Sequence, residues 1–212
     1  KTPSCLVRLL APALFPAALA AQSIVQLEPF TVSAQKRVQS VAEVPVPITV
    51  YSGAFLERVG VSDYKSLAPL VPGLFIQEQS PNNPGINLRG ITTDSGDPRA
   101  ETRISIFQDG VSISRSRASV VELFDLARVE VLKGPQGTLY GRNATGGAIN
   151  LIPVQPKFNA FSGYASASYG SYNSVIAEGA LNAPIGSHAA VRIAGAVSSH
   201  DGYSTDGSND DK

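Results

Sequence analysis

A small α+β domain followed by long antiparallel strands is the architecture this sequence predicts. Three observations carry it. From Val44 to Ile152, short alternating apolar runs interleave with short helical patterns. Near the end of that region, Gly134, Gly137, Gly141, Gly146 and Gly147 separate two apolar runs, Arg128–Leu132 and Ala148–Ile152. After Pro156 the pattern becomes strict period-two alternation in long segments joined by short turns. Composition agrees. Gly 19 and Pro 15 favour turns and strands, and charged residues are 16%, against about 25% in ordinary soluble domains. Lys+Arg 17 balances Asp+Glu 17, which argues against nucleic-acid binding through bulk positive charge.

The N-terminus reads as an export signal, residues 1–21. Lys1 and Arg8 precede an apolar run, and Ala18-Leu19-Ala20 fits a small-x-small cleavage site. Pro12 and Pro16 speak against a buried helix, and the run is short for a membrane span, which needs about 20 apolar residues. Cys5 lies inside this signal, so the mature chain is expected to hold no disulfide and no thiolate metal site. Residues 22–40 form a leader. Its apolar part, Leu27 to Ala34, is too short to build a core. It reads equally as an unstructured leader or as a strand donated to a partner's sheet edge, with Phe30 and Val32 filling pockets.

The compact domain spans 41–155. Pro45–Tyr51 reads as an edge strand. Ser52 caps a helix through about Val59, stopped by Gly60, with Phe55, Leu56 and Val59 on the buried face. Ser62 or Asp63 starts a second helix carrying Leu67, Leu70 and Val71, ended by Pro72-Gly73. Leu74–Gln77 is a strand, Gln79–Gly85 a Pro/Asn-rich loop, and Ile86–Ile91 an alternating strand. Ile104–Gln108 and Val111–Ile113 flank Asp109-Gly110, the preferred chemistry of a type I′ hairpin. Ser119 to Glu122 has capping-box spacing and predicts a short helix through Phe124. Arg128–Leu132 then alternates, with Val129 and Val131 opposite Arg128, Glu130 and Leu132. Lys133-Gly134-Pro135 ends that strand.

Three strands follow in 156–212. Phe161, Gly163, Ala165, Ala167 and Tyr169 share one face, as do Val175, Ala177, Gly179, Leu181, Ala183 and Ile185 on the next strand and Val191, Ile193 and Val197 on the third. Their length suits a tilted transmembrane barrel strand of roughly 20–25 Å, with Phe161 and Tyr169 at the two interfaces. A soluble β-sandwich satisfies the same pattern.

No reaction chemistry is written in the chain. The glycine-rich stretch lacks the spacing of a P-loop or a dinucleotide fingerprint. His188 and His200 are isolated, without metal-ligand spacing. No nucleophile–base arrangement stands out, so neither an enzyme nor a bound cofactor is expected.

Three motifs in order carry a family resemblance: Ile86-Asn87-Leu88-Arg89-Gly90, Ile106-Phe107-Gln108-Asp109-Gly110-Val111, and Val129 to Ile152. Together they resemble the plug domain of a TonB-dependent outer-membrane receptor. The resemblance implies a plug lodged in a 22-stranded barrel, of which 156–212 would be the first strands. The sequence ends at Lys212 after about three of them, so the barrel is expected to be incomplete here. It further implies that Glu28, Pro29, Phe30, Thr31, Val32, Ser33 and Ala34 resemble the TonB box, the segment held by an inner-membrane coupling protein. Pro29-Phe30 departs from the family's usual β-branched run. Arg89, Lys133 and Arg142 would pair with acidic groups on the barrel wall, and the five glycines would form the plug's tight turns. The implied partners are that coupling protein, outer-membrane lipid and a small-molecule ligand such as an iron-siderophore. A soluble periplasmic binding or adhesion protein, with an α+β domain and a β-sandwich, is the competing expectation.

Overall fold

The computed structural model describes residues 31–32, 39–80, 83–92, 101–115 and 122–202. The export signal, the rest of the leader and Ser119–Val121 lie outside the described residues. Two short strands open the described chain, β1 (Thr31–Val32) and β2 (Gln39–Ser40), paired antiparallel. Then come β3 (Ile48–Ser52), α1 (Gly53–Arg58) and α2 (Tyr64–Leu67), the last continued by a 3-10 turn over Ala68–Leu70. Both helices start at polar caps. Ser52 Oγ accepts from Phe55 N at 3.2 Å, and Asp63 Oδ1 accepts from Ser66 N at 2.7 Å.

A three-stranded sheet follows, β4 (Leu74–Ser80), β5 (Asn83–Leu88) and β6 (Ile91–Thr92). Two expectations are corrected here. Both ends of the segment expected as a loop, 79–80 and 83–85, are strand: Leu74 and Ile76 pair with Leu88 and Ile86, and the ladder runs on to Ser80 and Asn83. Pro84 is tolerated because, among the described residues, β6 reaches Asn87 and Leu88 and β5 has one neighbour, β4, at the proline. The expected strand through Ile91 instead turns at Arg89-Gly90. Both residues have positive φ (54° and 83°), and Asn87 Oδ1 accepts Gly90 N at 2.9 Å.

The main sheet is built from β7 (Glu101–Gln108), β8 (Val111–Arg115), β9 (Leu126–Lys133) and β10 (Gly147–Pro153), with β3 at its edge. Its order is β3-β9-β10-β7-β8, and only β10–β7 is parallel. The β7–β8 hairpin turns at Asp109-Gly110, with φ of 49° and 78°. Between β9 and β10 sits a short helix, α3 (Gly137–Tyr140), that the glycine-rich reading did not foresee.

One face of this sheet carries the main core. Val129, Val131, Ile149, Leu151, Ile104 and Ile106 pack on Leu56, Leu67 and Val71 from the helical side. Gly53 permits α1 to sit this close to the sheet, since a Cβ there would lie 1.7 Å from Leu126 O. Val59, expected on the buried face, is 46% exposed. It lies one residue past the last helical turn, and Val61 takes the buried position instead. The helix expected through Phe124 is absent from 122–124, where Leu123 N donates to Ser62 O at 2.7 Å and its side chain is buried in the main core.

The second unit is one antiparallel sheet, β11 (Ser162–Gly170), β12 (Ser174–Ile185) and β13 (Ala189–Ser199). The register aligns Gly163, Leu181 and Ile193, then Ala165, Gly179 and Gly195, then Ala167, Ala177 and Val197. This face is apolar apart from Ser199 and turned outward, with Phe161, Tyr169, Leu181, Ile193 and Val197 exposed. The opposite face carries Tyr164, Glu178, Asn182 and Arg192 toward the domain.

Tyr64 tests how the main core treats polar groups. It is buried, and its hydroxyl has no partner among the described residues. Burial raises its pKa above the ordinary value of 10.0. The neutral ring's contribution is therefore intact below about pH 10 and is lost as pH rises through the folded-state value. Tyr64→Phe should leave melting at pH 7 unchanged or stabilise by up to ~1 kcal/mol. The same variant should move alkaline unfolding to higher pH, which denaturation curves across that range would read.

Candidate functional site: the leader seat and the sheet-to-wall contacts

The coupling-segment candidates divide. Glu28, Pro29, Phe30, Ser33 and Ala34 lie outside the described residues, while Thr31 and Val32 form β1. Val32 is fully buried. It enters a second apolar cluster, on the face of the main sheet opposite the helices, with Phe107, Leu132, Tyr140, Ala144 and Ala148. Phe107 and Tyr140 form the cluster's aromatic contact, edge to face with centroids 4.9 Å apart. The leader's apolar residue thus occupies a pocket in its own domain.

A buried polar network adjoins this seat. Glu130 has no exposed surface, yet it lies on a strand between apolar neighbours. Arg128 Nε donates to it at 2.7 Å. Asn150 Nδ2 donates to Tyr140 Oη at 2.8 Å and reaches Glu130 Oε2 at 3.4 Å. Burial is the main cause that raises the Tyr140 pKa, partly opposed by the Asn150 hydrogen bond and helped by the Glu130 charge. A carboxylate this deep is tolerable only when hydrogen-bonded and paired, so Arg128, Asn150 and Glu130 act as a unit.

The glycines have different places. Gly134 and Gly141 take positive φ (102° and 75°) and turn the chain, whereas Gly137 is the first residue of α3. Gly147 begins β10 at φ 150°, where a Cβ would lie 2.3 Å from Leu132 O and 2.6 Å from a Leu88 methyl. A Cβ at Gly146 would meet Ile91 at 2.9 Å. Gly137 and Gly147 therefore belong to elements rather than to turns, and Gly147 serves close packing inside the domain.

The three candidate cations also separate. Lys133 is buried, and its pKa is lowered by desolvation first and by the Arg89 charge second. Arg89 and Lys133 are therefore electrostatic neighbours. Arg142 instead pairs with Glu101 at 3.0 Å, both side chains well exposed. Sequence reasoning looked for barrel carboxylates facing domain cations and missed the reverse pair. Asp125, just before β9, accepts two hydrogen bonds from Arg192 on β13, that from Nε at 2.7 Å. Both side chains are nearly buried. The available signal was Arg192 itself, a lone cation in the small-residue strand Ala189–Ser199.

With this geometry in view, residues 40–148 match the family described as the TonB-dependent Receptor Plug Domain. The chain belongs to the TonB-dependent receptors of the outer membrane, which sets aside a soluble periplasmic protein. The pesticin receptor of Yersinia enterocolitica is 36% identical over 142 residues, 66% of this chain and 20% of that receptor. The catecholate siderophore receptor Fiu of Escherichia coli is 36% identical over 140 residues, 62% of this chain and 16% of the receptor. Among solved structures, the ferric yersiniabactin uptake receptor FyuA from Yersinia pestis aligns at TM-score 0.62 and 31% identity, over 70% of this chain and 24% of that one. The ferripyoverdine receptor of the outer membrane of Pseudomonas aeruginosa aligns at 0.70 and 22% identity, over 82% and 23%, a likeness of fold. The chain thus spans about a fifth of the length of the curated relatives it matches.

Proposed function

We propose that this chain supplies the leader, plug and first wall strands of a receptor that takes up an iron chelate by energy-coupled rearrangement of the plug. The observation that carries the proposal is the plug-family match over 40–148, flanked by a strand-forming leader and outward-apolar barrel strands. The relatives named for catecholate siderophore and ferric yersiniabactin support the ligand class. In this reading the segment from Glu28 to Ala34 pairs edge to edge with a TonB-type coupling protein. Val32, seated at rest, leaves its pocket for that pairing. Lipid covers the outward face of β11–β13. The protein is a transporter and no bond is made or broken by it.

Two substitutions in the complete receptor test the reading. Val32→Pro removes a ladder N–H and should reduce coupled iron-chelate uptake by at least ~10-fold, with surface expression unchanged. Uptake at the parent rate would rule out the leader as the coupling strand. Arg89 and Lys133 are proposed to face wall carboxylates, with Arg142, already paired to Glu101, a weaker candidate for the same role. If so, Lys133→Met leaves a carboxylate enclosed without its cation and should lower plug stability by about 3 kcal/mol. Without such a partner, losing a desolvated charge should raise stability instead. A denaturant melt of the plug within the complete receptor distinguishes the two signs.

A further inference from the structure

The two ends of the β9–β10 hairpin meet at one place, and that place is tied to the wall. Asp125, at the entry, accepts from Val154 N, at the exit, through its backbone carbonyl at 3.0 Å. Its side chain accepts the double hydrogen bond from Arg192 on β13. Asp125 has φ 49°, a left-handed backbone that Asp adopts more readily than most residues. Next to Arg192 in the ladder stands Asn182 on β12, its direct cross-strand partner. Asn182 has no exposed surface and spends its side chain on the segment that connects plug to wall. Its Nδ2 donates to Lys157 O at 3.0 Å and Ala160 O at 2.8 Å, and its Oδ1 accepts Lys157 N at 2.9 Å. Farther along the plug side, Gln155 Nε2 donates to Asp109 Oδ1 at 3.3 Å.

We propose that Asp125, Arg192 and Asn182 form a fixed anchor that holds the β9–β10 end of the plug to the first wall strands throughout transport. Plug rearrangement is then confined to chain that lies before Asp125. The argument rests on geometry and on the cost of separation. The Arg192 contact is a two-point fork on a carboxylate, the arrangement that fixes orientation as well as distance. Both partners are nearly out of water, so parting them leaves two uncompensated charges in the interface. Asn182 satisfies three backbone groups of a connecting segment that has no sheet ladder of its own. By contrast, among the described residues of the leader, the buried contact with the plug is Val32, and the ladder of Thr31–Val32 with Gln39–Ser40 lies within the leader itself, so this is a small contact for pulling to open. All three are positioning residues. This inference rests on the transport reading for its consequence, but the anchor exists at rest.

Hydrogen exchange over residues 153–160 of the complete receptor in detergent reads the anchor with neither ligand nor coupling partner. Asp125→Asn and Arg192→Gln should each speed exchange there roughly tenfold, and the double variant should be no faster than either single. Unchanged exchange in the single variants, or effects that multiply in the double, would overturn the pairing. A second arm covers variants that assemble poorly. Cysteines at 125 and 192 are joined by a short, reducible bis-thiol cross-linker, and uptake is compared before and after reduction. Uptake within about twofold of the uncross-linked receptor, given a rate ratio that corresponds to well under 1 kcal/mol, supports a contact that stays closed. Uptake blocked by the link and restored by reductant would overturn it. Loss of energy-coupled uptake in the parent receptor would refute the transport reading while leaving the exchange result standing.

Discussion

Burial of the β9–β10 hairpin on both faces is the constraint from which the rest of the structure follows. A strand pair covered on one side can present polar residues to water on the other, but from Val129 to Lys133 β9 has no such side. Val129 and Val131 pack under the helices, and Leu132 packs toward the leader. Every polar group on the hairpin must therefore find a partner within the protein. Glu130 does so through Arg128 and Asn150, and Asn150 also holds the Tyr140 hydroxyl. The turn between the strands must stay compact, which places Gly147 against Leu132 O and leaves α3 to bring Tyr140 back over the sheet.

The same constraint links the domain's three neighbours. The helical layer covers one face, the leader's valine covers part of the other, and the hairpin's open end meets the wall strands. These attachments differ in kind. The first is a broad apolar interface, the second, among the described residues, the burial of Val32, and the third a set of charge-assisted and amide hydrogen bonds away from water. In the transport reading proposed above, a directional pull on the leader meets the smallest of the three first, so one segment can leave while the scaffold that recloses around it persists.

Much of this was legible in local chemistry. Asp109-Gly110 marked its hairpin, Ser52 its helix cap, and period-two alternation the three wall strands and their outward face. These features depend on neighbours in sequence. Misreadings arose where distant contacts outweigh local preference. Gln79–Gly85 looked like loop because of its prolines and asparagines, yet pairing of Leu74 and Ile76 with Leu88 and Ile86 carries the ladder into both of its ends, to Ser80 and Asn83. Glu130 read as one of the residues opposite the valines, but the second apolar layer made that side interior too. Asp125 and Arg192 are 67 residues apart, and nothing in either local pattern announces the other. The motif order brought out the family, whereas the polarity of this contact needed the fold.

Residue-resolved hydrogen exchange on the complete receptor, followed while the coupling protein engages its leader, tests the central claim most directly. Two-sided burial predicts that the amides of 129–133 and 147–152 remain the slowest to exchange, while protection at Thr31–Val32 and Gln39–Ser40 is lost first. Loss of protection in the hairpin before or together with the leader would contradict the account.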